Sequence, residues 1–257
     1  MIIDADVHIS PFKDGNRISY DELLLRMDRS GVEKAVTWLQ PTYFRDVELG
    51  NQYVFEAMSK HPDRILGFGW VDPHFGLDAC LKEIQRFVEE YGFYGVKLNG
   101  AQNYFSIDDE LISLPLIEAI VKTDRLLAFH IGADSIEFTH PFRLAKIARR
   151  FPQAMIIAVH MGGAANPDLS RAMIEVAKEC KNIYLVGSEI RPPAVLNAIE
   201  TLGPDRVLFG SDTPFELMHV EVAKYSALLE NFNYKDRNLV MSGNAFRLFT
   251  GKRSHNR

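Results

Sequence analysis

Asp6 and His8 lie two residues apart at the end of an apolar run that begins at Ile2. On an extended strand, residues two apart point to the same side, so this carboxylate and imidazole would face one space, as two donors to a single divalent ion must. Three further apolar runs end on residues of the same chemistry: LLAFH on His130, MIIAVH on His160 and VLFGSD on Asp212. An unpaired polar group out of water costs about 1–3 kcal/mol, and a charge more. A buried strand end therefore has little use for such a residue unless something binds it, and a metal ion removes the penalty. Each residue also has a plainer reading. Asp6 and His8 fit a polar strand end, and His130 and His160, each followed closely by glycine, fit satisfied core histidines. Asp212, in SDTPF, fits the cap of a helix starting near Glu216. Recurrence at equivalent places argues instead for a shared site, in which one histidine ligates while the other transfers protons.

The elements that would position these residues alternate along the whole chain. Strand-like runs cover 2–8, 34–39, 65–71, 95–98, 126–131, 154–160, 183–186 and 207–211, and amphipathic segments cover 20–29, 48–59, 77–90, 114–122, 141–150, 169–179, 193–201 and 216–230. Pro141 and Pro193 stand near helix starts and Gly31 just past a helix end. Eight β-then-α units in 257 residues predict a single α/β domain, a (β/α)8 TIM barrel, spanning 1–250 and followed by a polar tail over 251–257. In such a barrel the C-terminal strand ends meet on one face, which is where the four endings would converge. An open doubly wound sheet is the alternative, but the glycine-rich phosphate loop it needs after the first strand is replaced by DADVHIS. The segment NLVMSGNAFRLF is read as a closing helix.

Composition narrows the function classes. The chain is 47% hydrophobic and 25% charged with a formal net charge of -5, which supports a large core and offers no basic face for nucleic acid. Cys80 and Cys180 are far apart with no CxxC spacing, so neither a disulfide framework nor a zinc knuckle is indicated. Met1-Ile2-Ile3 runs directly into Asp4 without the pattern of a secretory signal, and His130 and His160 interrupt the longest apolar stretches well short of a membrane span. A cytoplasmic enzyme acting on a small molecule is expected, without a membrane or nucleic-acid partner and with a homodimer possible.

Taken together, IIDADVHI, GFYGVKLN, LLAFHIG, AVHMGG, RVLFGSDTPF and GNAFRLF, in that order over nearly the full length, give a resemblance to the amidohydrolase superfamily. They resemble in particular its amidohydrolase-related group of TIM-barrel metal-dependent hydrolases, which includes lactonases and decarboxylases of the aminocarboxymuconate-semialdehyde type. The resemblance implies that His8 and His130 bind the metal, that Asp212 is a ligand or catalytic carboxylate, and that His160 sits beside the ion as a catalytic group. One departure stands out: the usual His-x-His of the first strand is Asp6-Val7-His8 here, a form similar to that of the decarboxylating branch. Lys97 occupies the fourth-strand position that is carbamylated in binuclear relatives; an unmodified lysine pairing with a substrate carboxylate or a nearby acid is the expectation here.

The combined expectation is one divalent ion, Zn2+ with Mn2+ as the harder alternative, held by Asp6, His8, His130 and Asp212. Bound water would ionise near neutral pH and attack an amide or lactone, with His160 stabilising the oxyanion and Asp212 moving the proton. Lys97, Asn99, Glu189 and Arg191 are expected to contact substrate; Trp70, Tyr104, Phe105 and Phe215 are further lining candidates for which core or loop packing is the favoured reading. The alternative use of the same cage is non-oxidative decarboxylation of a small, possibly aromatic, carboxylic acid, which Asp6 favours. A barrel that binds a ligand without turnover is the reading from outside enzymology.

Overall fold

The structure, a computed structural model, describes residues 1–40 and 47–250; the tail expected over 251–257 lies outside the described residues. Eight strands follow one another around a single sheet: β1 (Ile3–Ile9), β2 (Lys34–Leu39), β3 (Ile65–Trp70), β4 (Gly95–Leu98), β5 (Leu126–His130), β6 (Ile156–Val159), β7 (Ile183–Val186) and β8 (Val207–Leu208). Each pairs in parallel with the next. Helices fill the intervals, so the chain is a (β/α)8 barrel. Closure falls on β1, where the amides of Ala5 and His8 donate to the carbonyls of Phe209 (2.9 Å) and Thr213 (2.7 Å), and the amide of Asp212 donates to that of Asp6 (2.9 Å).

The local reasons for these elements are visible in the residues. The helix Tyr20–Ser30 begins at Ser19, whose hydroxyl accepts from the Glu22 amide at 3.2 Å, and ends at Gly31 in the left-handed conformation. Strand residues are almost all buried on both faces, as a parallel sheet wrapped by helices requires. Several boundaries differ from expectation. The helix expected over 77–90 is α-helical over Leu77–Arg86 and continues as a wider turn over Phe87–Tyr91. That turn buries both aromatics, with the Phe87 ring filling the space over Gly69, where a Cβ would collide with it. The helix expected over 216–230 spans Met218–Leu228 with Leu217 at its N-cap, so Asp212 caps no helix. Finally, β6 stops at Val159 and β8 at Leu208, because the residues beyond leave the ladder to build the barrel mouth.

Candidate metal centre

Asp6, His160 and Asp212 each bring a ligand atom within 4.8 Å of the other two, and all three are buried. They come from β1 and from the segments just past β6 and β8. The route to this meeting is a strained backbone: His160 has φ 64 and Asp212 φ 56, left-handed values that cost a non-glycine residue roughly 1–2 kcal/mol. Such strain concentrates where function requires a particular side-chain direction.

The His8 ring adjoins this group, its Nε2 standing 3.5 Å from Asp6 Oδ1 and 3.4 Å from Asp212 Oδ1. Its Nδ1 lies 2.9 Å from the Leu39 carbonyl, and the Trp38 indole N–H donates to its Nε2 at 3.0 Å. With Nδ1–H given to Leu39, the lone pair on Nε2 is the one that Trp38 engages. His130 packs edge-on against His160, ring centroids 4.7 Å apart. Its Nε2, in a residue only 5% exposed, has no hydrogen-bond partner among the described residues, and Asp134 Oδ2 lies 3.3 Å away. The geometry therefore brings His8 to within 3.4–3.5 Å of both aspartates, as the sequence-based ligand set requires, adds His160 to the same group, and brings His130 in through its contact with His160.

Electrostatics favours a cation. Burial depresses the pKa of all three imidazoles, with Lys97 adding to the effect on His8 and His130, and His160 falls to about 4. The rings are thus neutral near pH 7, the form a metal binds. Burial would push the Asp6 carboxyl up, but Lys97, His8 and His160 together hold it below the usual carboxylate range. Asp212 goes the other way: burial, then the nearby Asp6 charge, raise it well above that range. Among the described residues Asp6 Oδ1 has no hydrogen-bond partner. A buried carboxylate oxygen and a buried imidazole nitrogen without partners, beside a second carboxylate, are what a divalent ion would satisfy, so the residues present fit a metal.

Two residues outside the expected ligand set hold this arrangement: Ser188, which carried no signal in the sequence, and Asp4, whose place one pleat below Asp6 suggested a structural role. The Ser188 hydroxyl, just past β7, donates to Asp6 Oδ2 at 2.5 Å and lies 3.2 Å from His160 Nδ1, while the Ser188 carbonyl lies 3.3 Å from the same nitrogen. Nδ1–H directed at that carbonyl leaves His160 Nε2 as the free donor. Asp4, one pleat deeper than Asp6, accepts from the amides of Asp6 (3.1 Å) and Ser211 (2.9 Å) through one oxygen, pinning β1 to the segment after β8. Its other oxygen has no partner, and burial pushes its carboxyl up to about 7.

Above these residues opens a cleft of about 170 Å³. His8, His130, His160 and Asp212 face it from below; Asn99, Gln102, Asp134, Glu189 and Phe215 form its wall. The expected contacts Asn99 and Glu189 thus reach the cleft. Lys97 does not: it is fully buried, its Nζ 3.8 Å from Asp6 Oδ1, 3.7 Å over the Trp38 ring and 5.4 Å from the Trp70 ring centroid. Burial lowers its pKa to about 8. It pairs with the acid rather than meeting substrate. Arg191 is exposed at the start of the helix Pro192–Leu202 and is absent from the cleft wall, because Ile190 takes the buried position and the residue before a proline is held extended. Among the aromatic candidates Phe215 reaches the cleft, its ring 5.4 Å from His8. Trp70 lines a separate cavity, Phe105 is buried and Tyr104 is exposed.

A closed parallel barrel whose mouth gathers buried carboxylates and imidazoles defines a metal-competent (β/α)8 enzyme scaffold. The Amidohydrolase family matches residues 3–250, and the chain belongs to that family. Among curated proteins it is similar to 2-amino-3-carboxymuconate-6-semialdehyde decarboxylase of Dictyostelium discoideum, 20% identical over 244 residues, covering 81% of this chain and 67% of that protein. It is also similar to gamma-resorcylate decarboxylase of a Polaromonas species, 25% identical over 249 residues, covering 77% and 74%. Among solved structures, a dihydroxybenzoic acid decarboxylase from Polaromonas, crystallised with manganese and the inhibitor 2-nitroresorcinol, shares the fold with a TM-score of 0.73 at 21% identity, covering 98% of each chain. These relatives are decarboxylases, so they support the alternative use of the site over hydrolysis. Among the described residues no helix is long and apolar enough to cross a membrane.

Proposed function

We propose that this protein catalyses metal-assisted, non-oxidative decarboxylation of a small aromatic carboxylic acid. The observation that carries the reading is the buried group Asp6, His160 and Asp212 at the floor of a cleft of about 170 Å³, in a chain whose relatives are decarboxylases. The volume suits one substituted ring, since a cavity of about 150 Å³ accommodates benzene. Asp6, His8 and His160 would hold the ion, with His130 against it and Asp212 beside it as the acid. A carboxylate in the donor set admits Mn2+ as well as Zn2+. When bound, the ion neutralises the acid and draws electron density toward an adjacent oxygen.

The remaining work falls to the chain. Phe215 and the histidine edges confine the ring and exclude water. Asp212, whose carboxyl burial and the Asp6 charge raise above the usual range, would deliver its proton to the ring carbon that bears the carboxylate. The bond to that carboxylate then breaks, its electron pair returns to the ring, and carbon dioxide leaves. Solvent at the cleft restores the Asp212 proton. The test is product analysis with metal-loaded protein on a set of hydroxy- and amino-benzoic acids and on lactones and amides. Carbon dioxide release is the expected result; water addition to a lactone or amide without carbon dioxide release would return the site to hydrolysis. Asp212→Asn should lower kcat by about 10²–10⁴-fold with an unchanged circular dichroism spectrum and with metal content measured alongside. Full kcat in that variant would remove Asp212 from the proton step.

A further inference from the structure

Both ring nitrogens of His8 are held by consecutive residues of β2. Its Nδ1 lies 2.9 Å from the Leu39 carbonyl, and its Nε2 accepts from the Trp38 indole N–H at 3.0 Å. These two contacts bear on an ion in opposite ways. A histidine ligand is aimed by the hydrogen bond that its far nitrogen donates, and the Leu39 carbonyl takes that bond. The ligand also needs the lone pair of the near nitrogen, and a neutral imidazole has one such pair. Here the pair is given to an indole N–H at an ordinary hydrogen-bond distance. Nε2 cannot serve both partners.

The indole is itself held in place. Trp38 is fully buried, the Lys97 Nζ stands 3.7 Å over its ring, and the Phe68 ring meets it edge-on with centroids 5.7 Å apart. Contacts of both kinds attract and orient a ring. Lys97 Nζ is in turn 3.8 Å from Asp6 Oδ1, which lies 3.5 Å from His8 Nε2. Asp6, His8, Trp38 and Lys97 thus close a ring of contacts, in which the carboxylate oxygen faces a lysine cation and the imidazole nitrogen an N–H donor. We propose that Trp38 is a built-in competitor for the metal: its indole N–H holds the His8 lone pair, and a divalent ion binds through His8 only by displacing that bond. This rests on the metal reading of the mouth with His8 among the donors, and it adds what the ion must break and which residue sets its affinity. The competition is reciprocal, because coupled equilibria shift each other by the same factor. What the indole bond contributes is subtracted from the affinity for the ion, and in return the His8 ring is already aimed at both aspartates. Trp38 is therefore a positioning residue.

Metal binding tests this without requiring turnover. The chain has two tryptophans, so a nitrogen-15-labelled sample gives two indole N–H resonances, and Trp70→Phe assigns them. Zn2+, which is diamagnetic, is titrated with calorimetry in parallel. The Trp38 indole proton should move upfield as its hydrogen bond is lost, with the same midpoint as the calorimetric isotherm. The Trp70 indole, which donates to Asn103 Oδ1 at 2.9 Å, should stay in place. A tryptophan analogue with sulfur in place of the ring N–H, introduced at position 38, keeps the size of the ring and its face toward Lys97 but removes the donor. That protein, checked by thermal melting, should bind Zn2+ at least about threefold more tightly, in keeping with the net worth of one hydrogen bond. Zn2+ binding with an unmoved Trp38 resonance overturns the proposal, and so does a folded analogue protein with parental or weaker affinity. Either result keeps the metal reading and removes the exchange at His8. Failure of Zn2+ to bind at all removes the metal reading, and the proposal with it. The resonance measurement uses the unaltered chain, so it decides even where the analogue protein does not fold.

Discussion

Asp4 shows how much of this site is decided by single buried groups. One of its oxygens takes two backbone amides and the other takes nothing, and burial lifts its pKa from 3.8 to about 7. Between those two values the unfolded chain has released the proton that the folded chain keeps. Stability is therefore fully present below pH 3.8, falls by about 1.4 kcal/mol per pH unit across the window, and levels off once the folded group also ionises. Asparagine keeps an acceptor oxygen for both amides and has no proton to lose. In metal-stripped protein, the melting temperature of Asp4→Asn relative to the parent should rise steadily from pH 4 to 7 and then plateau. A difference that stays flat or shrinks over that range would show that Asp4 is ionised in the fold. Ser188 acts at the same scale, binding Asp6 with its hydroxyl and approaching His160 with its carbonyl, which fixes two candidate ligands at once.

At the scale of elements, the close approach of the segments after β5 and β6 brings His130 and His160 into contact. Gly132 makes that approach possible: its φ is 68, and a Cβ there would run into the Gly162 backbone. Gly132→Ala should destabilise the protein by more than the roughly 1–2 kcal/mol of left-handed strain alone, and should weaken manganese binding because the two histidines move apart. Calorimetry of both unfolding and metal binding checks this; an alanine variant with parental metal affinity would show that the histidines keep their places by other means. The seam between β1 and β8 works in a similar way. On its other side β1 shifts register with β2 between Asp4 and Val7, and across the seam the Ser211 amide bonds the Asp4 side chain and the Asp212 amide the Asp6 carbonyl. The two ends of the chain are thus tied together where Asp6 and Asp212 must meet.

For the whole molecule, the unsatisfied atoms at the mouth predispose the folded state to bind a cation that the unfolded chain cannot hold. A ligand at one hundred times its Kd stabilises by about 2.7 kcal/mol, and a protein of this size gains about 2–4 °C per kcal/mol. Mn2+ or Zn2+ at that excess should therefore raise Tm by about 5–10 °C, and a chelator should reverse the shift. The effect should grow with pH as Asp212 yields its proton more readily, while the imidazoles are already neutral. No shift with either ion would argue that the mouth is not a metal site.

The sequence by itself determined the order of eight strands and eight helices, because periodicity and punctuation are local. It also marked Asp6, His8, His130, His160 and Asp212, because polar residues that end apolar runs are conspicuous wherever the chain goes. The pattern around Gly132 and Gly162 was legible as glycine after histidine, but not its reason. Direction in space was left to the tertiary structure. Left-handed turns at His160, Asp134, Glu189 and Asp212 aim those side chains, and nothing in a run of residues reveals a conformation that the surrounding fold imposes. Of the two partners expected for Lys97, a substrate carboxylate or a nearby acid, the fold supplies the acid, Asp6, with two tryptophans around the ammonium, and Arg191 turned outward with the helix it precedes. Ser188, Gln102 and Trp38 joined the site only through closure, since each meets a partner roughly thirty residues or more away in the chain, whereas Asp134 meets His130 four residues away through its left-handed turn. Contacts of that range depend on how the barrel closes, which no local pattern encodes.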